Sequence, residues 1–169
     1  MKKFLIVIFL LSTISCSDKK DRNLNLDQVN VSSFSFFKVA SSNSIPLAAT
    51  EENITFAFGA PRVIKEGVLE VSKLDCTKWI YKGATIYLQS GRMVDIDLKT
   101  AAYGFVFNGT VIKVGEDISK LKVLFPDSFS QRSSRQILIG LSYNGESIET
   151  QILFDFNRQN RITAISLMG

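Results

Sequence analysis

Residues 50–59 read TEENITFAFG, a segment whose two ends carry the signals of a short α-helix. Thr50 is a candidate N-cap, because its hydroxyl accepts a hydrogen bond from an unpaired amide of the first turn. Glu51 and Glu52 place negative charge at the positive end of the helix dipole, and Gly59 supplies a left-handed stop. We therefore predict a helix of about two turns, too short to persist alone and hence docked on a larger element.

A second segment of the same kind follows later in the chain. When the two segments are aligned with Phe58 on Phe125, Asp117 occupies the position of Thr50, the predicted N-cap of the first helix. Pro126 is predicted to end the second helix, because residues before proline avoid helical angles. With one short gap, the alignment also superposes further pairs: Ile45 and Ile112, Ile54 and Leu121, Arg92 and Arg161, Ile96 and Ile165. The sequence therefore predicts that the chain contains two diverged copies of one structural unit.

Alternating apolar residues and two-residue turns predict antiparallel sheet around both helices. Asn108-Gly109 and Asn144-Gly145 are typical of tight β-hairpin turns, and Lys82-Gly83 separates two further strands. Residues 69–74 fit either a strand or a helical turn. The predicted fold class is α+β, in which two tandem repeats each pack a short helix on an antiparallel β-meander.

The N-terminus has the order of a secretory signal peptide. Lys2 and Lys3 precede the apolar residues 4–11, small or polar residues follow, and Cys16 comes next. This order looks like a bacterial lipoprotein signal, cleaved after residue 15 so that Cys16 becomes an N-terminus carrying palmitate-type acyl chains. The alternative is an ordinary signal peptide with an incidental cysteine. The apolar run is shorter than the roughly 20 residues that a membrane-spanning helix needs.

The residues after Cys16 are predicted to form a tether, because residues 17–26 are polar and offer almost nothing to bury. The predicted organisation has four parts, of which the two repeats form one compact domain: a signal peptide at 1–15, a lipidated N-terminus and flexible tether at 16–33, a first α+β repeat at 34–101 and a second at 102–169.

The mature chain is predicted to carry little net charge. Loss of Lys2 and Lys3 with the signal leaves 18 of the 20 basic residues against 16 acidic ones, a net charge of +2. Because there is no basic run either, nucleic acid is not expected as a partner. With Cys16 acylated, Cys76 is the one remaining thiol, so no intramolecular disulfide is expected.

The side-chain inventory gives little support for catalysis. The sequence contains no histidine, the commonest general base and metal ligand, and no glycine-rich phosphate loop. Asp95 and Asp97 share one strand face. The apolar residues that alternate with them are expected to face the core, so both carboxylates are expected to face solvent. Cys76 is expected to be buried or incidental rather than reactive. We therefore expect no catalytic residues, no cofactor and no metal.

Residues 50–61, with Trp79-Ile80-Tyr81 and Gly91-Arg92-Met93, resemble the small outer-membrane lipoproteins of the SmpA/OmlA type. The family pattern has a helix ending Leu-Gly-x-Pro, a Trp-x-Tyr strand and a glycine turn before a valine. The tandem arrangement is similar to the β-lactamase-inhibitor-protein fold, in which two helix-plus-sheet units lie side by side. The resemblance covers residues 48–98, and 115–167 less closely. It implies a protein-binding module that steadies an envelope assembly or docks on an enzyme and blocks it.

We therefore expect a non-catalytic, lipid-anchored interaction module of the cell envelope, at the outer membrane of a Gram-negative bacterium, with a protein as its partner. The alternative is a small-ligand or lipid-binding lipoprotein with an apolar groove between the two units. An exposed aromatic sheet face favours the first function and a closed apolar pocket the second. The candidate contact residues are aromatic rings and arginines: Phe36, Phe37, Trp79, Tyr81, Tyr87, Arg132 and Arg135.

Overall fold

The computed structural model describes residues 25–69 and 72–169. The predicted signal peptide, Cys16 and the first part of the predicted tether lie outside the described residues. Within these two ranges, none of the helices has the length and apolar character that crossing a membrane requires.

The larger of two sheets contains eight strands, numbered in chain order. Its neighbouring strands are antiparallel except the first pair at one edge, which is parallel. From that edge to the other, the strands are β1 (Gln28–Asn30), β10 (Gln136–Tyr143), β11 (Glu146–Phe156), β12 (Ile162–Met168), β7 (Arg92–Leu98), β6 (Ala84–Gln89), β5 (Asp75–Tyr81) and β4 (Val63–Val68).

The smaller sheet contains four strands, in the order β3 (Ser44–Ile45), β2 (Phe34–Lys38), β8 (Tyr103–Phe107) and β9 (Thr110–Lys113). Asn108 and Gly109, at φ 45° and 78°, turn the chain between β8 and β9, which confirms the predicted hairpin. The predicted turns at Asn144-Gly145 and Lys82-Gly83 are confirmed in the same way, between β10 and β11 and between β5 and β6.

Helix α1 (Glu51–Phe58) begins and ends where the sequence predicts. The Asn53 N–H donates to Thr50 Oγ1 at 3.4 Å, and the Asn53 side chain accepts from Thr50 in return, which makes a capping box. Gly59 ends the helix at φ 82°. The buried face of α1, which docks on β2 and β3, consists of Ile54, Ala57 and Phe58.

The second helical segment is split in two. Helix α2 (Ser119–Leu124) ends before Pro126, as predicted, but Pro126 then begins a further short helix, α3 (Pro126–Ser130). Asp117 stands one residue before the N-cap position, and its Oδ1 accepts from the Ser119 N–H at 2.9 Å. This bond from the backbone lowers the pKa of the Asp117 carboxyl.

The predicted fold class is wrong. The chain is mostly β, with 52% strand and 15% helix, and its described residues form twelve strands in two sheets with three α-helices rather than two helix-on-meander repeats. Strands from the two predicted units pair with each other, β7 with β12 in the large sheet and β2 with β8 in the small one. The local pattern shows where strands are but not which distant strands pair, and this pairing merged the two units.

The last part of the predicted tether is instead packed on the large sheet. β1 pairs with β10, and a single turn of 3-10 helix at Val31–Ser33 follows it. The Ser128 N–H donates to Asp27 Oδ2 at 2.8 Å, and the Asp27 N–H donates to Ser128 Oγ at 2.9 Å. Backbone pairing and these polar bonds hold the segment, which a count of apolar residues does not detect.

The core lies between the two sheets and is rich in phenylalanine. Phe36 and Phe105 of the small sheet are fully buried, with ring centroids 5.8 Å apart. Phe105 also meets Phe154 of β11 edge-to-face, at 5.8 Å, and so connects the small sheet to the large one. Aromatic pairs in this geometry contribute beyond the area they bury, so Phe105 joins the two layers of the fold.

We predict that Phe105→Ala lowers the free energy of unfolding by about 3–5 kcal/mol, because it opens a cavity between the sheets. The control is Phe56→Ala, at a helical phenylalanine that is 75% exposed, where a change within about 0.5 kcal/mol is expected. Equilibrium urea unfolding measures both. Similar losses in the two variants would contradict the assignment of Phe105 as the link between the layers.

Candidate functional site

One face of the large sheet points away from the small sheet, and we call it the open face. The strand register defines a row across it, each residue opposite the next: Val63, Ile80, Thr85, Asp97, Ser166, Leu153 and Leu138. The side chains at positions between these, such as Ile86, Ile96 and Ile165, point into the core.

The described helices lie on the core side of the large sheet and leave the open face uncovered. Ile54 and Phe58 of α1 and Leu121 of α2 belong to the same buried cluster as the inward residues of the sheet. Phe129 of α3 packs against that cluster. Within the described residues, no helix therefore covers the opposite side of the sheet, which combines polar and apolar side chains.

Asp97 is the centre of a hydrogen-bonded cluster on the open face. Ser166 Oγ donates to Asp97 Oδ1 at 2.7 Å, and Tyr87 Oη donates to Asp97 Oδ2 at 3.1 Å. Lys99 Nζ lies 3.6 Å from Asp97 Oδ2. These contacts join β6, β7 and β12, and they supply both oxygens of the carboxylate with donors.

A cation lies above the ring of Tyr87. Lys78 Nζ is 5.2 Å from the ring centroid, within the range of a cation–π contact. The Lys78 stem crosses Gly67 of β4, where an added Cβ would lie 2.3 Å from Lys78 Cε. Glycine at position 67 thus leaves room for the lysine to reach Tyr87. Asp95 lies opposite Tyr87 on β7, and its Oδ1 accepts from the Ile96 N–H at 2.6 Å.

The cluster borders a solvent-open cleft of about 210 Å³. Leu69, Ser166 and Leu153 are its most buried open-face members, at 8%, 8% and 9% exposure. The rest of the lining combines apolar side chains with the polar cluster: Tyr87, Asp95, Asp97, Leu167, Met168 and Gly169. A second open hollow, of about 370 Å³, lies beside it and shares Leu69, Asp95 and Gly169 with it.

This arrangement favours binding over acid–base chemistry. The carboxylate of Asp97 accepts from two hydroxyls and lies near an ammonium, so its lone pairs are occupied by protein groups. Among the described residues, no group of three or more histidine, cysteine, aspartate or glutamate side chains is arranged to hold a metal ion. What the cluster does is hold three strands together and present a polar patch beside apolar side chains.

Three of the predicted contact residues lie in the core. Phe36, Trp79 and Tyr81 are 0%, 7% and 6% exposed. Burial raises the pKa of the Tyr81 phenol, and neighbouring Tyr103 raises it further. The Tyr81 hydroxyl donates to the carbonyl of Gly59 at 3.2 Å, which attaches the end of α1 to β5. These three rings pack in the core and leave little surface for a partner to contact.

The other predicted contact residues do not come together. Tyr87 is half-buried on the open face, whereas Phe37 is half-buried on the small sheet and covers Gly104. Arg132 is exposed beyond α3, with its guanidinium 4.2 Å from the Phe129 ring centroid. Arg135 is also exposed, and its carbonyl accepts from the backbone of β11. Of the predicted set, Tyr87 alone belongs to the Asp97 cluster.

Sequence patterns do not reveal the roles of Asp97 and Ser166. Asp95 and Asp97 share one outward strand face in the sequence pattern, which predicts only a solvating role for them. Ser166 lies one strand away in space and 69 positions away in the chain, so no local pattern pairs it with Asp97. The alternation of acids with core residues in β7 was the one available signal.

Between β4 and β5 the structure describes Leu69 and residues 72–74, and it places none of these in a strand. The Leu69 N–H donates to the Leu74 carbonyl at 2.9 Å, and the Lys73 N–H donates to the Leu69 carbonyl at 3.1 Å. The second of these bonds joins residues four positions apart, as in a helical turn, and Lys73 takes a left-handed φ of 59°. Leu69 is buried at the margin of the cleft.

No protein-family model matches the chain, and no curated protein matches it in sequence. A solved structure that aligns with it is an extracellular protein containing a SCP domain from Bacillus anthracis str. Ames, 9% identical with a TM-score of 0.39. The alignment covers 72% of this chain and 43% of that one, so this chain spans less than half of that protein. A likeness of this degree carries no argument about function.

We predict that Asp97→Ala lowers the free energy of unfolding by about 1–3 kcal/mol, because it leaves the buried Ser166 hydroxyl without its acceptor. In the double variant Asp97→Ala/Ser166→Ala the loss should be smaller than the sum of the two single losses. Asp155→Ala, at an aspartate of β11 whose bond to Gln136 is exposed, is the matched control and should change little. Urea unfolding gives all four values, and strictly additive losses would contradict the coupling.

We predict that the Cys76 thiol reacts slowly in the folded chain. Cys76 is 4% exposed, and burial raises the pKa of its thiol; Lys78 opposes this rise, while Glu66, Asp75 and Asp95 add to it. Alkylation by iodoacetamide should be much slower than in urea-unfolded chain and should need a higher pH, because the thiolate is the reactive form. Mass spectrometry of the Cys76 peptide measures the rate. Equal rates in both states would contradict a buried thiol.

Proposed function

We propose that this chain is a non-catalytic protein-interaction module of the cell envelope, lipid-anchored through Cys16, and that it docks a partner protein on the open face of its large sheet. Its place is the outer membrane of a Gram-negative bacterium. The observation that carries the proposal is the uncovered face of an eight-stranded sheet whose opposite face holds all the described helices.

The composition of the open face supports a protein as the partner. Ile80, Thr85 and Leu138 are half-buried rather than fully solvated, and they stand in one row with the polar Asp97 cluster. A mixture of apolar and hydrogen-bonding groups of this kind is typical of the surfaces through which non-obligate complexes form. Because the row crosses strands that are hydrogen-bonded to one another, its side chains are held in fixed positions.

The size of the cleft argues against the small-ligand alternative. Pockets for small molecules usually measure about 300–1,000 Å³ and enclose most of the ligand. The cleft beside Asp97 measures about 210 Å³ and is open to solvent, and the neighbouring hollow of about 370 Å³ is open as well. A partner that covers both depressions at once fits this surface better than a ligand enclosed by either.

The proposed location at a membrane rests on the N-terminal sequence. Lys2 and Lys3, the apolar run and Cys16 stand in the order of a lipoprotein signal. Two or three acyl chains on Cys16 would hold the chain firmly at a membrane. An anchored module meets its partner at a high local concentration, so a modest docking surface is sufficient.

We predict that a photo-crosslinking amino acid at Thr85 of the full-length chain captures one dominant protein in native envelopes. The matched control is the same amino acid at Thr110, a half-buried threonine on β9 of the small sheet, which should capture none. Adding Cys16→Ala to the Thr85 variant should reduce the adduct, because the chain leaves the membrane. Mass spectrometry of the adduct identifies the partner.

Two results would overturn the proposal. Equal capture from both positions would show that the contact is not specific to the open face. The absence of any adduct at Thr85, while the chain remains in the membrane fraction, would remove the protein-docking function and favour the ligand-binding alternative. Unchanged urea midpoints for both variants would show that neither substitution disturbs the fold.

A further inference from the structure

Strand β4 forms one edge of the large sheet and is exposed along almost its whole length. Val63, Ile64 and Val68 are 43%, 56% and 45% exposed, so three large apolar side chains of one six-residue strand face solvent. An edge of this kind offers unpaired backbone groups and apolar area together, which is the arrangement to which a further strand adds.

The register with β5 shows which backbone groups of β4 point to the free edge. The Leu69 N–H donates to Leu74, its partner in the same register, so Leu69 is a hydrogen-bonded position. Hydrogen-bonded and non-bonded pairs alternate in antiparallel ladders. Residues 65 and 67 therefore bond to β5, whereas Ile64, Glu66 and Val68 direct their N–H and C=O groups outward.

Symmetry limits how β4 can pair with itself. Two residues directly opposite each other in a sheet have their side chains on the same face. When β4 pairs antiparallel with β4 of a second copy about a two-fold axis, the axis must therefore pass beside one residue, which lies opposite its own copy. A centre at Lys65 opposes two ammonium groups, and a centre at Glu66 opposes two carboxylates, which is unfavourable. A centre at Ile64 opposes two isoleucines, and it brings the side chain of Arg62, the residue just before β4, towards Glu66 of the other copy.

The register centred on Ile64 is compatible with the side chains of this segment as well as with its backbone. Arg62, Ile64 and Glu66 are all exposed, and within the described residues neither Arg62 nor Glu66 forms an ion pair. Ile64 points its backbone groups outward, so the two copies of this residue can exchange both hydrogen bonds at the symmetry axis. The Arg62 N–H already donates to the Ile80 carbonyl at 2.8 Å, so Arg62 contributes its side chain.

We propose that β4 is a dimerisation edge, whose occupant is β4 of a second copy of this chain, antiparallel and centred on Ile64, with an Arg62–Glu66 ion pair on each side of the axis. The eight strands of each copy then form one continuous sheet. Because the axis is perpendicular to the sheet, the two open faces lie on the same side. The inference goes beyond the proposed function and does not depend on it.

The first test is disulfide trapping in the full-length chain, in isolated envelopes under mild oxidation. Ile64→Cys should give a covalent dimer, because the opposed residues of a hydrogen-bonded antiparallel pair have a Cα separation of about 5.5 Å, which a disulfide spans. Val68→Cys, on the same strand, is the matched control and should give none, since this register does not place it opposite itself. The unsubstituted chain, with its own Cys16 and Cys76, controls for other disulfides.

The second test exchanges the charges and measures dimer dissociation of the full-length chain in detergent by sedimentation. Arg62→Glu and Glu66→Arg should each weaken the dimer by at least about tenfold, because both ion pairs become repulsive. The double variant Arg62→Glu/Glu66→Arg should restore it, since the pairs reform with reversed polarity. All three changes are at exposed positions and should leave the urea midpoint almost unchanged.

Two results of the trapping test would overturn the proposal: dimer formation by Val68→Cys equal to that by Ile64→Cys, or a disulfide adduct between the Ile64→Cys variant and a different protein. Two results of sedimentation would do the same: a monomer at all concentrations, or a double variant whose dimer is as weak as those of the single variants. None of these depends on the open face. Capture of a partner at Thr85 should persist in the charge variants if the proposed function holds, so the two proposals fail separately.

Discussion

The large sheet depends on the junction between β7 and β12, which unites the early strands of the chain with the late ones. The two strands share two registered pairs, Leu98 with Ile165 and Asp97 with Ser166. The first pair is buried in the core, and the second is joined on the open face by a 2.7 Å side-chain bond. A short ladder is thus reinforced from both sides, and without it the sheet would divide into two smaller ones.

The second sheet depends on long-range pairing of another kind. β2 lies beside β8, and the phenylalanines of these strands fill the space against β11. The short helices are held at the margin of this core, where isolated bridges join Thr50 to Arg92 and Asp117 to Arg161. Burial between two sheets, more than helix docking, therefore accounts for the stability of the fold.

The surface divides into two parts with different properties. The open face presents fixed side chains of mixed character, held by the Asp97 cluster and by the strand register. The β4 edge presents unpaired backbone groups with apolar side chains, and Arg62 and Glu66 stand two residues before and two residues after Ile64. A face of the first kind suits a folded partner protein, whereas an edge of the second kind suits another strand.

Local chemistry in the sequence determined the turns and the first helix. Asn108-Gly109 adopts positive φ angles at low cost, and Thr50 and Gly59 cap α1 through groups within a few residues of each other. Such signals need no knowledge of the rest of the fold. The predicted two-repeat fold is wrong because β7 pairs with β12 and β2 with β8, across the two predicted units, and no local signal indicates these pairs.

Tertiary structure alone decided which strands meet and which aromatic rings remain accessible. Trp79 and Tyr87 both stand in alternating strands, but Trp79 points to the core and Tyr87 to the open face, because the register fixes the face on which each lies. Asp97 and Ser166 became one cluster through contact across 69 positions. Sequence determines local geometry over a few residues, whereas the sheet order and the site arise from burial among distant segments, which local patterns do not encode.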